Sequence, residues 1–101
     1  MIYQVLQIRK DRRSEEAALN ARILGDVDPV FFLSAYDIVA EIEATDLDEV
    51  FRIGNIGPED KIARIAPMHS VSVGDVIRDD FGRCFVVSSF GFTRLGEKEV
   101  A

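Results

Sequence analysis

Apolar and polar residues follow one another along the chain in patterns that predict a series of strands and helices. Residues 2–8 are rich in β-branched and aromatic side chains, which predicts a first strand. Ser14 precedes residues 15–24, a segment that begins with two acidic residues and then repeats apolar residues at helical spacing. This segment is predicted to be a helix, with Leu19 and Ile23 on one buried face because they are four positions apart.

The middle of the chain combines a second strand with two further helical segments. Asp28–Pro29 has the order of a helix cap and a first-turn proline, which favours a short helical turn over residues 30–36. Residues 37–43 alternate between apolar and polar side chains, as a half-buried strand does. Thr45 is expected to cap a helix over residues 46–53, which carries acidic residues in its first turn and is followed by a glycine.

From residue 68 onward the pattern is all β, with Phe90 and Phe92 expected on one strand face in the core. The predicted strands of this meander are 71–73, 76–78, 84–90 and 92–95. The whole order predicts an α+β fold: a small, mostly antiparallel sheet with two main helices packed on one face and a C-terminal β meander. Residues 1–96 are expected to form this single domain, and residues 97–101 a loose tail.

Composition places the chain among globular cytoplasmic proteins. Hydrophobic residues make up 48% of its 101 residues, which is too apolar for a disordered chain. Its apolar runs are far shorter than the roughly 20 residues of a membrane-spanning helix, and its beginning has no signal-peptide pattern. The single cysteine, Cys84, excludes an internal disulfide framework and fits a reducing compartment. We therefore expect a cytoplasmic protein without membrane association.

The net charge of −6 is unevenly distributed along the chain. Residues 25–60 contain ten acidic residues and one basic residue, so the excess negative charge lies in the middle third. One interpretation is a solvated acidic face that keeps a small protein in solution. The other is a docking surface for a protein partner with a basic surface. On that interpretation, the candidate partner-binding residues are Glu41, Glu43, Asp46, Asp48 and Glu49.

A short basic segment near the beginning of the chain offers an alternative site. It consists of Arg9, Lys10, Arg12 and Arg13, which could contact the phosphates of a nucleic acid. The segment is interrupted by Asp11 and belongs to an acidic protein, so a solvated loop is the simpler interpretation. Nucleic acid is therefore not the expected partner.

Catalytic and metal-binding patterns are weak. His69, the one histidine, could be combined on paper with Ser70 and Asp75 into a hydrolytic triad. The Gly-x-Ser-x-Gly nucleophile motif is missing, however, and a turn-stabilising histidine is the simpler interpretation. One histidine and one cysteine cannot close a structural zinc site, and neighbouring acidic residues on a helix point in different directions. The sequence therefore predicts no enzyme, no metal site and no cofactor.

Four segments in a fixed order carry a resemblance to a known family. They are Tyr36–Ala44, Leu47–Phe51, Met68–Ile77, with its His-Ser-Val-Ser-Val-Gly-Asp-Val run, and Ser89–Phe92. This order resembles the YodL-like small domains encoded on phages, plasmids and integrative elements, and it covers roughly residues 36–95. The resemblance implies an accessory protein of a mobile genetic element and assigns no catalytic residues.

These observations lead to one expected function and one alternative. We expect a non-enzymatic accessory protein of a mobile element that binds a basic protein partner through its acidic surface. The sharpest version is an inhibitor of a host nucleic-acid-targeting defence, of the anti-CRISPR or antirestriction type, because such systems have basic grooves. The alternative is a nucleic-acid-associated regulatory protein. A homodimer through the edge of the terminal sheet is also left open.

Overall fold

A computed structural model of the protein describes residues 1–95 and shows six strands and three helices. The strands are Ile2–Ile8 (β1), Tyr36–Glu43 (β2), Ile62–Arg64 (β3), Val76–Arg78 (β4), Cys84–Ser88 (β5) and Gly91–Arg94 (β6). The helices are Glu16–Leu24 (α1), Pro29–Ala35 (α2) and Leu47–Ile56 (α3). The tail expected at residues 97–101 lies outside the described residues.

All six strands form one sheet in the order β3-β2-β1-β4-β5-β6, and every neighbouring pair is antiparallel. β1 lies in the middle, between β2 and β4, and is the most deeply buried strand of the sheet. The α+β class, the antiparallel sheet and the C-terminal meander of β4 to β6 are therefore confirmed.

The helices cover both faces of the sheet, whereas the sequence predicted two main helices on one face. Val5 and Leu6 are neighbours on β1 and so point to opposite faces. Val5 packs with Val50 of α3, which defines the α3 face. Leu6 packs with Ala21 of α1 and Phe32 of α2, which defines the α1–α2 face. The physical reason lies in the consecutive apolar residues of β1, β4 and β5, a pattern typical of strands buried on both sides.

Helix α1 turns its small residues inward, contrary to the expectation for Leu19 and Ile23. Its buried residues are Ala18 and Ala21, while Leu19 and Ile23 are exposed. The cause is a close approach between the helix and the loop before β4. A Cβ atom placed on Gly74 would lie only 2.6 Å from the carbonyl oxygen of Ala21, so this gap has no room for larger side chains.

Helix α3 begins one residue later than predicted and extends further. Asp46, not Thr45, is its N-cap, because the Asp46 carboxylate accepts a hydrogen bond of 2.9 Å from the backbone N–H of Glu49. The helix continues through Gly54 to Ile56. This places its buried residues against the α3 face of the sheet.

A β-bulge interrupts the pairing of β1 with β2. Val5 pairs with Ala40 and the next residue, Leu6, pairs with Ile38, so that Val39 is left without a partner on β1. The extra residue reverses the alternation of β2. Even-numbered residues face α1 and α2 before the bulge and face α3 after it.

Candidate functional site

The bulge sets the positions of the two acidic residues predicted on β2. Glu41 pairs with Gln4 and Glu43 pairs with Ile2, so both carboxylates lie on the face of the sheet that also carries Leu6. Helices α1 and α2 cover only the Leu6 end of this face. At the other end, Ile2 and Glu43 are exposed and Glu41 is half-exposed.

This uncovered part forms a distinct surface, which we call the open sheet face. Its residues are Ile2, Gln4, Glu41, Glu43, Ala63 and Arg78. Arg78 donates a hydrogen bond of 2.7 Å to the side chain of Gln4. Among residues 1–95, neither Glu41 nor Glu43 has a hydrogen-bonded or ion-paired partner for its carboxylate. The face therefore presents two carboxylates that pair with no cation of the described residues, beside an exposed isoleucine and the Arg78 guanidinium on the same face.

The other three predicted acidic residues lie on α3, on the opposite side of the sheet. Asp46 is occupied as the helix cap. Glu49 accepts hydrogen bonds from the backbone N–H of Thr45, at 2.7 Å, and from its hydroxyl, and these bonds hold the pKa of Glu49 below its usual value. Arg52 also pairs with Glu49 at 3.3 Å. Asp48 alone of the three has no such partner in the described part, so the five acidic residues do not form one patch.

The predicted basic segment is largely engaged within the fold. Arg9 and Arg12 both donate to the carbonyl oxygen of Ser34, at 2.8 and 3.3 Å. Arg9 also pairs with Asp11, and Arg12 with Glu15. These two arginines hold the short 3-10 turn after β1 against the end of α2, and their charges are partly compensated.

Lys10 and Arg13 are the remaining members of the basic segment. Neither forms an ion pair with the described residues. The carbonyl oxygen of Arg13 accepts a hydrogen bond of 3.2 Å from the side chain of Arg22 on α1. Arg9 and Arg12 are thus engaged with Ser34, whereas Arg9, Lys10 and Arg13 line one hollow of about 810 Å³ together with Asp11 and Asp37.

Buried polar side chains meet where β1 ends. Gln7 and Asp75 are both buried, and the Gln7 amide donates to the Asp75 carboxylate and to the carbonyl oxygen of His69, each at 3.0 Å. The Gln7 side-chain oxygen accepts from the backbone N–H of His69 at 3.2 Å. The side chain thus pairs with the backbone of His69 as a neighbouring strand would.

The sequence predicted a strand over residues 71–73, but the bonds of Gln7 lie beside a loop instead. Residues 71–73 are irregular, and Gly74 has a φ of +94°, which is favourable for glycine and strained for other residues. The Tyr36 hydroxyl donates a bond of 2.6 Å to the Gly74 carbonyl oxygen, and burial raises the pKa of Tyr36. These side-chain bonds add to two backbone bonds of 2.9 Å that join the loop to β5, from the Gly74 N–H to the Val87 carbonyl oxygen and from the Val87 N–H to the Asp75 carbonyl oxygen.

Asp75 has an unusual protonation equilibrium. Burial raises the pKa of Asp75 to about 6. A hydrogen bond of 2.9 Å from the backbone N–H of Ser72, the nearby His69, the Gln7 amide and the charge of Arg13 all act in the opposite direction without reversing the shift. The carboxylate is thus held in a site that favours its neutral form more than water does.

His69 does not belong to a catalytic triad. Its Nδ1 atom lies 2.7 Å from the carbonyl oxygen of Ser70, a separation that requires a proton on Nδ1. Both amide hydrogens of Gln7 are used by other acceptors, so the 3.3 Å contact between Gln7 and Nδ1 is a neighbour contact only. Gln7 stands between His69 and Asp75, and within residues 1–95 the Ser70 hydroxyl makes no hydrogen bond to the ring.

Comparisons with known proteins add no functional information. No protein-family model matches the chain, and no curated protein or solved structure is significantly similar to it. The resemblance to the YodL-like domains therefore stays a prediction. None of the helices within the described 95 residues has the length and apolar character needed to cross a membrane. In the same part of the chain, no three His, Cys, Asp or Glu side chains converge as metal ligands would.

Proposed function

We propose that the protein is a non-enzymatic binding module that docks a basic protein on its open sheet face. The observation that carries this proposal is the pair of unpartnered carboxylates, Glu41 and Glu43, on a part of the sheet that no helix covers. Neither side chain contributes a hydrogen bond to the fold of residues 1–95. Their charges are therefore available to a partner.

The composition of the face favours a protein partner over a nucleic acid. Two carboxylates repel phosphates and attract lysine and arginine side chains. The exposed Ile2, beside Glu43 in the sheet, supplies an apolar contact that can be desolvated at the centre of an interface. The free Asp48 lies on the other side of the sheet and is not expected to contribute.

The most specific partner that we propose is a host defence enzyme that targets nucleic acids. The basic groove of such an enzyme attracts an acidic domain for the same reason that it attracts nucleic acid. The support for this partner is the charge of the open sheet face together with the sequence resemblance to domains of mobile elements. The rival role as a nucleic-acid-associated regulator is weaker, because Arg9 and Arg12 are already engaged within the fold.

The test compares two charge-reversed proteins with the same net charge. Glu41→Lys/Glu43→Lys reverses the open sheet face, and Asp37→Lys/Asp60→Lys reverses two exposed residues elsewhere. Tagged proteins are used to capture partners from the host, with washes at about 0.05 M and about 0.5 M salt, and the captured proteins are quantified by mass spectrometry.

We expect a basic partner that the wild type and the Asp37/Asp60 variant retain at low salt. The Glu41/Glu43 variant should lose it, and high salt should remove it from all three. Equal recovery by the two variants would show that the open sheet face is not the docking surface. Recovery of nucleic acid in place of a protein would favour the regulatory role.

A further inference from the structure

Helix α1 and the turn between β5 and β6 together expose large apolar side chains. Ile23 and Leu24 are 68% and 66% exposed, and Phe90 is fully exposed. Gly25, which ends α1, packs against Ser88: a Cβ atom on this glycine would lie 3.2 Å from the Ser88 Cα. The end of α1 and the turn that carries Phe90 are therefore neighbouring segments of one surface.

These side chains contribute little to the fold. Burial of a leucine, isoleucine or phenylalanine side chain stabilises a fold, and here that stabilisation is largely unrealised. Helix α1 is anchored by small residues, Ala18 and Ala21 with Ala17 beside them, so its larger apolar side chains lie outside the core. Clustered exposed apolar side chains of this kind mark surfaces that bind other molecules.

A hollow of about 390 Å³ adjoins this apolar surface. Leu19, Ile23 and Arg22 of α1 line one side of it, and Arg13 lies at its rim. Neither arginine forms an ion pair with a carboxylate of the described residues, although Asp75 and His69 also line the hollow. The hollow thus combines apolar walls with two guanidinium groups that have no bound carboxylate.

We propose that this α1 surface binds an extended acidic peptide segment that carries apolar side chains. The surface consists of Leu19, Arg22, Ile23, Leu24 and Phe90, with Arg13 at the rim of the hollow. Leucine-like or aromatic side chains of the peptide pack on the apolar residues, and its carboxylates pair with Arg13 and Arg22. This site is separate from the open sheet face and takes a ligand of opposite charge.

The arrangement of charges argues against the two obvious rivals. A symmetric contact of α1 with α1 of a second copy would bring the Arg22 side chains of both copies together in an apolar interface, which is unfavourable. A nucleic-acid strand would satisfy the two arginines but would leave Ile23, Leu24 and Phe90 without apolar partners. An acidic peptide satisfies both requirements at once.

The experiment selects ligands without assuming their sequence. A phage-displayed library of random dodecapeptides is selected on the full chain, and enriched peptides are synthesised and titrated by calorimetry. Titrations use the wild type, Ile23→Ser/Phe90→Ser, Arg13→Gln/Arg22→Gln and the matched control Val30→Ser/Leu33→Ser. The control removes two apolar side chains of α2 that are 72% and 82% exposed but lie outside the α1 surface.

We expect enriched peptides that combine Asp or Glu with Leu, Ile or Phe. Their affinity should fall at least about 10-fold in the Ile23/Phe90 and Arg13/Arg22 variants and stay unchanged in the control. The proposal is overturned if nothing is enriched, if the enriched peptides are basic, or if the control loses as much affinity as the Ile23/Phe90 variant. It is also overturned if sedimentation shows a wild-type dimer that Ile23→Ser/Phe90→Ser dissociates, since the surface would then bind a second copy. Circular dichroism of each variant confirms that the fold is retained.

Discussion

The two ends of β1 use polar side chains in opposite ways. Near its start, Gln4 lies beside Glu41 on a face open to solvent, and the Glu41 carboxylate makes no bond within the described residues. Near its end, Gln7 is buried and its amide makes three hydrogen bonds to Asp75 and to the backbone of His69. Glutamine thus occupies two positions of one strand, three residues apart. Gln4 lies at the surface, whereas the buried side chain of Gln7 supports the fold.

The difference follows from what lies beside the strand. At Gln4, β1 has a strand on each side, so the backbone is paired with neighbouring strands and the side chain is not needed to replace one. At its end, the chain that precedes β4 is irregular, and side-chain bonds must take the place of a strand. Around Gln4, which we call the open end of β1, polar side chains are thus available for binding. Around Gln7, which we call the closed end, they are needed for folding.

The largest expected effect is at Gly74, in the loop of the closed end. Gly74→Ala combines a strained positive φ with a contact of 2.6 Å to the Ala21 carbonyl oxygen, so we expect a loss of about 3–4 kcal/mol in the free energy of unfolding. Gly82→Ala is the matched control, because its φ is also positive, at +82°, but nothing lies within 4 Å of the new Cβ atom. Urea unfolding should give a loss of only about 1 kcal/mol there. Equal losses at both glycines would show that α1 and the loop are not closely packed.

Replacing each glutamine of β1 tests the difference between the two ends of the strand. Gln7→Ala removes one hydrogen bond to Asp75 and two to the His69 backbone, and we expect a loss of about 3 kcal/mol, since each of these bonds is worth roughly 1 kcal/mol. Gln4→Ala should cost less than about 1 kcal/mol, because it removes one partly exposed hydrogen bond to Arg78. Similar losses in chemical denaturation would remove the distinction between the two ends.

The closed end should also give the stability a measurable pH dependence. Burial raises the pKa of Asp75 to about 6, so the folded state binds this proton more tightly than the unfolded state does. The resulting stabilisation is present below about pH 4 and is lost as the pH rises through about 6. His69, Arg13 and the Tyr36 hydroxyl are the charged or titratable groups that act on this carboxylate.

Asp75→Asn should remove this dependence. At neutral pH the variant is expected to be as stable as the wild type or more stable, by up to about 2 kcal/mol, because no charge has to be buried. Thermal unfolding between about pH 4 and about pH 7 measures the difference, with both proteins carrying His69→Gln so that neither contains a histidine. Parallel pH profiles would show that Asp75 does not titrate with a raised pKa.

The smallest effect is expected at the open end. Glu41→Gln/Glu43→Gln should change the free energy of unfolding by less than about 0.5 kcal/mol, because neither carboxylate has a partner within the described part of the fold. Chemical denaturation at low salt is the measurement. A loss above about 1 kcal/mol would mean that these charges serve the fold and are not free for a partner.

Much of the fold follows from local patterns in the sequence. β1 was predicted within its observed bounds, and Asp28–Pro29 does begin α2, with the Phe31 N–H bonded to the Asp28 carboxylate at 3.0 Å. The face of the sheet on which each helix packs could not be predicted from these patterns, because it depends on which strands are covered by helices on both faces. The consecutive apolar pairs Val76–Ile77 and Val86–Val87 carried that signal.

The site was less predictable for a related reason. Gln7 is one of two glutamines in β1, and nothing local distinguishes it from Gln4, because the partners that bury it are 62 and 68 residues away along the chain. Phe90 was expected in the core and lies in an exposed turn, because β5 ends at Ser88 rather than at residue 90. Phe92, on β6, does pack against the core.

The bulge at Val39 also bears on how this surface can change over time. A shift of one residue in the pairing of β2 with β1 moves the shifted side chains to the opposite face of the sheet, without altering the identity of any of them. If the bulge were straightened with no change in length, Val39 would pair with Val5 and Glu41 with Tyr3, so that Glu41 and Glu43 would move to the face packed against α3. Deleting Val39 would instead leave Glu41 opposite Gln4, so the pairing register of β2 against β1 constrains this surface as strongly as its composition does.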